Sequence, residues 1–193
     1  MPLPQPDPDV LRKAQHGDER AFRILVVTYE VPVFNYVLRM VGDRALAEDL
    51  TQEIFLRIYQ GLAGFSLRCR FTTWLFQVAK NRVLDELRAM ERKPQANVTL
   101  DDLPPLEVVD APPERVEAID AVWRAVAALN ADLKMALLLR DIVGLSYTEI
   151  ADALEITLAT VKWRIFKARE EVQLSLVREG IEVEFGERVG AKG

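Results

Sequence analysis

Between Thr160 and Glu170 the chain reads TVKWRIFKARE, and its residue types suit one chemistry in particular. Val161, Ile165, Ala168 and Val172 recur at spacings of four, three and four, the buried stripe of an amphipathic helix. Trp163 and Phe166 fall off that stripe, beside Lys162 and Lys167, on the side that faces water. Lysines meet phosphates or guanine edges, and rings supply apolar contact to thymine methyls and sugars, so the set fits a nucleic-acid groove. The same rings would also suit packing on another helix or on a protein partner.

A second cluster lies in FSLRCRFTTWLFQVAKNRVLDELR, residues 65–88. Here Phe65, Arg68, Arg70, Phe71, Trp74, Lys80, Asn81, Arg82 and Arg88, with Arg92 beyond, combine rings, bases and an amide. Separated nucleic-acid strands need a partner for unstacked bases, and a surface of this kind offers stacking worth about 1–3 kcal/mol per base. Phe71 and Trp74 would serve as exposed wedges, or, at helical spacing with Leu75 and Val78, as core.

The elements that must position these residues read as helices throughout. Ser146 followed by Glu149 forms a capping box opening a short helix whose Ile150, Ala151 and Leu154 face inward. Glu155 to Thr157 make a turn, and Thr157 caps the helix that carries Trp163, which is the grammar of a helix-turn-helix. No sustained alternation and no Asn-Gly or Asp-Gly hairpin signal appears. The expected helices are 9–16, 19–42 with an irregularity near Pro32, 44–61, 71–92, 114–129, 131–143, 146–154 and 158–178.

Proline sets the divisions. Of ten prolines, four fall in the first eight residues and five between Pro94 and Pro113. The chain therefore reads as a disordered leader (1–9), a first unit (10–93), an acidic proline-rich linker (94–113), a second unit (114–179) and a polar tail (180–193). The fold class is all-α, two small helical domains joined by a flexible linker. Extended, the linker's twenty residues at about 3.1 Å each reach roughly 60 Å.

The 193 residues carry a net charge of −5, which argues at first against nucleic acid. Charge is segregated, however. Residues 64–93 hold seven bases (Arg68, Arg70, Lys80, Arg82, Arg88, Arg92, Lys93) against Asp85, Glu86 and Glu91. Residues 158–169 hold Lys162, Arg164, Lys167 and Arg169 with no acid, while the linker holds Asp101, Asp102, Glu107 and Asp110 with no base. One cysteine and one histidine leave no material for a disulfide framework or a Cys/His zinc site, so no metal and no cofactor is expected. Cys69 sits between arginines that would favour its thiolate, and His16 reads as a polar residue at a helix end. No glycine-rich phosphate loop and no nucleophile–histidine pair is present, and adjacent Asp85 and Glu86 diverge on a helix; an enzyme is not expected. No run approaches the roughly 18–20 apolar residues of a membrane span and no signal peptide opens the chain, which predicts a cytoplasmic protein without membrane insertion of its own.

The run from Leu129 to Leu176 resembles domain 4 of the extracytoplasmic-function sigma factors, whose pattern includes a "gLSYxEIA" helix and a "TVKSRxxRAR" recognition helix. That resemblance implies that Thr160, Lys162, Trp163, Phe166 and Lys167 read the upstream (−35) promoter element, with Arg164 and Arg169 nearer the backbone. Trp163 stands for a usual serine, Ala159 for a usual glycine, Glu155 for a usual turn glycine, and LNADLK lacks a frequent proline. ALAEDLTQEIFLRIY resembles the "AEDLTQExFxRxY" helix of sigma domain 2, implying that Asp49, Gln52 and Glu53 dock on the β′ clamp helices of core RNA polymerase. The next segment is similar to "FRxxxxFxTWLxxIARNxxxDxxR", which implies recognition and opening of the −10 element. Residues 64–70, with Lys80, Asn81 and Arg82, would then hold a flipped base, and Arg88 and Arg92 would touch upstream phosphate. The resemblance further implies contact with the β flap, a linker running through the active-site cleft and RNA exit path, and an anti-sigma partner. The rival reading is a stand-alone helix-turn-helix regulator that binds duplex by itself.

Overall fold

In a computed structural model, residues 3–66, 69–92 and 113–181 are described. Arg68, Lys93, the acidic residues of the 94–113 linker and the tail beyond 181 lie outside them. Eight α-helices follow in order: α1 (Pro8–Gln15), α2 (Glu19–Val41), α3 (Arg44–Gly61), α4 (Phe71–Arg92), α5 (Pro113–Ala128), α6 (Ala131–Asp141), α7 (Tyr147–Leu154) and α8 (Leu158–Arg178). A single 3-10 turn, Leu62–Gly64, links α3 to the loop before α4. The caps explain these limits. Asp18, Asp43, Asn130, Ser146 and Thr157 each accept a hydrogen bond from a first-turn amide of the helix they precede. Gly42 closes α2 at φ 76°, a conformation glycine adopts without cost.

The first unit packs α1–α4 around Leu25, Tyr29, Val33, Tyr36, Leu50, Ile54, Ile58, Leu75 and Phe76. Pro32 sits inside α2, which continues through it as one helix rather than breaking. The first residues differ from the disordered leader expected at 1–9: Leu3 packs on the core, the Tyr29 hydroxyl donates to the Pro4 carbonyl at 2.7 Å, and Gln5 Nε2 donates to Thr72 Oγ1. The proline-rich segment has few amide donors to satisfy, and it is fastened to the bundle by the Pro4 carbonyl and the Gln5 side chain.

Length and composition alone would let α2 cross a bilayer, contrary to the expectation that no run does so. It instead packs against α1, α3, α4 and α6. Its later residues Tyr36, Val37, Leu38, Met40 and Val41 are buried on successive sides, which requires cover from two directions. The first bundle supplies one and α6 of the second unit the other. The α2–α6 and α4–α7 contacts thus join the two units, and one apolar cluster runs through both.

Within that core the Tyr36 hydroxyl is fully buried with no hydrogen-bond partner among the described residues, and burial pushes its pKa upward. An unmatched buried hydroxyl costs about 1–3 kcal/mol. Tyr36→Phe should therefore leave the melting temperature unchanged or raise it, while the edge-to-face contact with Phe76 at 5.7 Å persists. A clear drop in thermal unfolding would show that the hydroxyl has a partner.

Candidate nucleic-acid interface

Helix α8 is oriented by what it buries. Val161, Ile165, Ala168, Val172 and Leu176 are all at most 2% exposed. The capping box ahead of it is complete, with Ser146 Oγ accepting from the Glu149 amide at 3.2 Å and Glu149 Oε2 from the Ser146 amide at 2.9 Å. Of the inward residues expected on α7, Ile150 and Leu154 are buried and Ala151 packs partly buried against the core, with Ala153 buried beside them. Glu155 makes the turn at φ 58°, a left-handed conformation that strains a non-glycine residue by about 1 kcal/mol or more. Thr157 Oγ1 then caps α8 at the Thr160 amide and also bonds Thr160 Oγ1 at 2.7 Å.

The opposite side of α8 presents Trp163 at 60% and Phe166 at 65% exposure, both far above ordinary core aromatics. Lys162 is exposed beside them, without a carboxylate partner among the described residues. Lys167 meets Glu170 at 2.7 Å. Arg164 and Arg169 turn the other way, binding Asp132 and Asp141 at the two ends of α6. They brace α8 on α6, a role that the charge pattern did not disclose.

On α4 the residues divide differently. Phe71 is 2% and Phe65 7% exposed, which corrects the reading of Phe71 as a wedge; both belong to the core. Trp74, half-buried, stacks on Phe65 at 4.9 Å, and a methyl group on Gly61 would come within 3.2 Å of its ring. Arg82 is spent internally: its guanidinium binds Glu53 on α3 and Glu86 on α4, and only 13% of its side chain is exposed. Lys80, 7% exposed, meets Glu155 at 3.0 Å, and Arg70 meets Glu149 at 2.9 Å, both across the seam between units. Asn81, Arg88 and Arg92 remain exposed, and their spacings of seven and four keep them on one face of the helix. Arg68 is outside the described residues.

Asp49 and Gln52 are exposed neighbours on α3. Glu53 shares that face, but Arg82 bonded to it holds its carboxyl below the usual carboxylate range. Gln15 went unnoticed in the sequence. Its Nε2 donates to the Phe65 carbonyl at 2.8 Å and the Leu62 carbonyl at 3.4 Å, fixing the start of the loop before α4. A lone glutamine at a helix end carries no pattern that would reveal this. His16 caps that helix as expected, its ring bonded to the Arg12 carbonyl. At Cys69 partial burial and then Asp152 push the thiol pKa up, opposite to the effect expected of its arginine neighbours.

Two family models match the chain: Sigma-70 region 2 over residues 25–93 and Sigma-70 region 4 over residues 119–172. The RNA polymerase sigma-H factor of Pseudomonas aeruginosa is 36% identical over 180 residues, covering 88% of this chain and 93% of that protein. The ECF RNA polymerase sigma-E factor of Escherichia coli K12 is 34% identical over 182 residues, covering 86% and 92%. Two solved structures share the fold with a TM-score of 0.68 each. CnrH in complex with the cytosolic domain of CnrY, at 23% identity, covers 89% of this chain and 97% of its own. The sigma factor RpoE in complex with the anti-sigma factor NepR from Bartonella quintana, at 20% identity, covers 81% and 96%.

The Arg82 pairing gives a test that separates structural from surface roles. Arg82→Ala leaves Glu86 unpaired at the α3–α4 seam and should cost about 1–2 kcal/mol in chemical denaturation. Because Glu53 is depressed in the folded state, its contribution is present above the unfolded-state pKa of about 4.3 and is lost as pH falls through the folded value. The acid limb of the stability profile should accordingly flatten in Arg82→Ala. Unchanged stability and an unchanged profile would return Arg82 to the surface set.

Proposed function

Because this chain belongs to the extracytoplasmic-function (ECF) sigma factors of the sigma-70 family, we propose a division of labour between its two units. As a sigma factor it binds core RNA polymerase and directs promoter-specific transcription initiation, and it works in the cytoplasm with the polymerase. In our reading the first unit docks on the β′ clamp helices through Asp49 and Gln52. Its Asn81, Arg88 and Arg92 face, beside the loop braced by Gln15, takes the opened −10 strand. The second unit lays α8 in the major groove of the −35 element, and its remaining surface meets the β flap.

One observation carries this assignment. Two rings more than half exposed stand between lysines on a helix whose other side is fully buried and whose cap is complete. Apolar area of that kind, held facing water, has its use in a bound state. In the groove Lys162 neutralises phosphate, Lys167 does so on exchanging its exposed Glu170 pair for phosphate, and Trp163 and Phe166 touch base methyls and sugars. An inhibitory partner like the anti-sigma factor bound to the Bartonella quintana neighbour would cover these same exposed apolar and basic faces.

In vitro transcription with purified core polymerase and a promoter library tests the reading, which fails outright if no start site is used. Trp163→Ser should change the preferred −35 bases, whereas Lys162→Ala should weaken all promoters alike and lower the salt dependence of binding by about one phosphate contact. An unaltered preference in the tryptophan variant would reject that ring as a base contact. Asp49→Ala combined with Gln52→Ala, neither of which holds a structural ion pair, should weaken core association about tenfold or more at unchanged melting temperature. Wild-type affinity in that variant would remove α3 from the docking surface.

A further inference from the structure

The loop that enters α4 is held at both ends by one short stretch of chain, the residues before and along α1. At its entry the Gln15 side-chain amide donates to the Phe65 carbonyl at 2.8 Å and to the Leu62 carbonyl at 3.4 Å. At its exit Gln5 Nε2 donates to Thr72 Oγ1 in the first turn of α4, and the Pro4 carbonyl accepts from Tyr29, whose ring lies 5.4 Å from that of Phe71. Neither glutamine belongs to the loop or to α4.

The stretch that carries them is itself fixed, since Asp7 caps α1, Leu11 and Ala14 are buried, and Leu3 packs on the core. Both glutamines, half-buried, therefore reach from set positions. What they hold is equally defined: Phe65 and Phe71, at the two ends of the loop, are buried with their rings edge to face at 6.0 Å, while Ser66, Cys69 and Arg70 between them are exposed. Fixing both ends removes conformational freedom that capture of a base would otherwise have to remove. A side-chain amide suits the entry position because its two N–H donors satisfy two carbonyls at once, whereas a carboxylate of the same shape sets oxygen against oxygen.

We propose that Gln15 and Gln5 are positioning residues for strand opening: from the amino-terminal stretch they set the pose in which the loop before α4 receives the −10 base, without touching the DNA themselves. The proposal rests on the assignment of that loop and of α4 to the −10 strand. It adds that the residues before α2 act in opening, and that they act through two carbonyls and one hydroxyl of the backbone and side chains they hold.

The test uses the full-length chain assembled with core polymerase on one promoter in two forms, intact duplex and the same sequence with its −10 region already mismatched open. Opening of the duplex is followed by the fluorescence of 2-aminopurine placed in the −10 element. Gln15→Ala should slow opening about fivefold, the scale of one lost hydrogen bond, and the isosteric Gln15→Glu should slow it further. Both should keep wild-type core affinity and −35 preference, and both should initiate from the mismatched promoter with a much smaller loss. Gln5→Ala should act in the same direction, and combined with Gln15→Ala it should depart from additivity, because the two hold one loop. Wild-type opening rates in both Gln15 variants overturn the proposal. An equal loss on the intact and mismatched promoters also overturns it, since that is the mark of a contact that only stabilises the fold. A wild-type chain that opens no promoter at all counts instead against the proposed function.

Discussion

The seating of α8 is the constraint on which the rest depends. A helix of this length has one side to bury, and five small or branched residues of α8 assign that side to the interior. Every other feature of the second unit follows. Arg164 and Arg169, next to the buried stripe, reach the acids that flank α6. Trp163 and Phe166, opposite it, are more than half exposed among the described residues. Shifting the buried stripe of α8 by one residue would bring Lys162, Phe166 and Arg169 inward, so packing in the core decides what the surface presents.

Composition suggests an abundance of cations, but geometry is more sparing. A basic side chain near a carboxylate of suitable reach pairs with it, and helix packing brings many such pairs together. Arg82 closes the α3–α4 seam, Arg164 and Arg169 close α6–α8, and Arg70 and Lys80 close the boundary between units. Of the candidate contact residues, Lys162 on α8 and Arg92 on α4 hold no ion pair among the described residues, while Arg88 reaches Asp85 at 3.7 Å and Lys167 reaches Glu170 at 2.7 Å. Linear counts of charge overestimate a phosphate footprint because they cannot see which charges are already neutralised.

The helices and their ends were legible because their signals are local. Caps such as Ser146 and Thr157 act within four residues, and burial periodicity acts within a few turns, so eight helices and the α8 stripe were readable from the chain. The long-range pairings were not. Nothing near Arg82 points to Glu53 on another helix, nothing near Gln15 points to the Phe65 carbonyl, and Phe71 differs from an exposed ring only through the partners that enclose it. The fastening of the proline-rich leader was hidden for the same reason, since its bonds run to Tyr29 and Thr72. Glu155 is the instructive case: its departure from a turn glycine was visible in the sequence, but its ion pair with Lys80 across the seam was not.

Sparse free cations have a consequence for how the protein meets DNA. Non-specific affinity grows with the number of phosphates neutralised, each contributing close to one unit of salt dependence. A chain whose Arg70, Lys80, Arg82, Arg164 and Arg169 are already paired, and which carries a net charge of −5, offers arbitrary duplex fewer such contacts than its composition suggests. On the proposed function its discrimination comes from the ring contacts of α8 and from strand opening on α4, both of which are short-ranged and need the DNA to be delivered in register by the polymerase core. Internal pairing of most arginines therefore suits a subunit that recognises promoters as part of an assembly, because it withholds the electrostatic grip that would otherwise scatter the free protein along the genome.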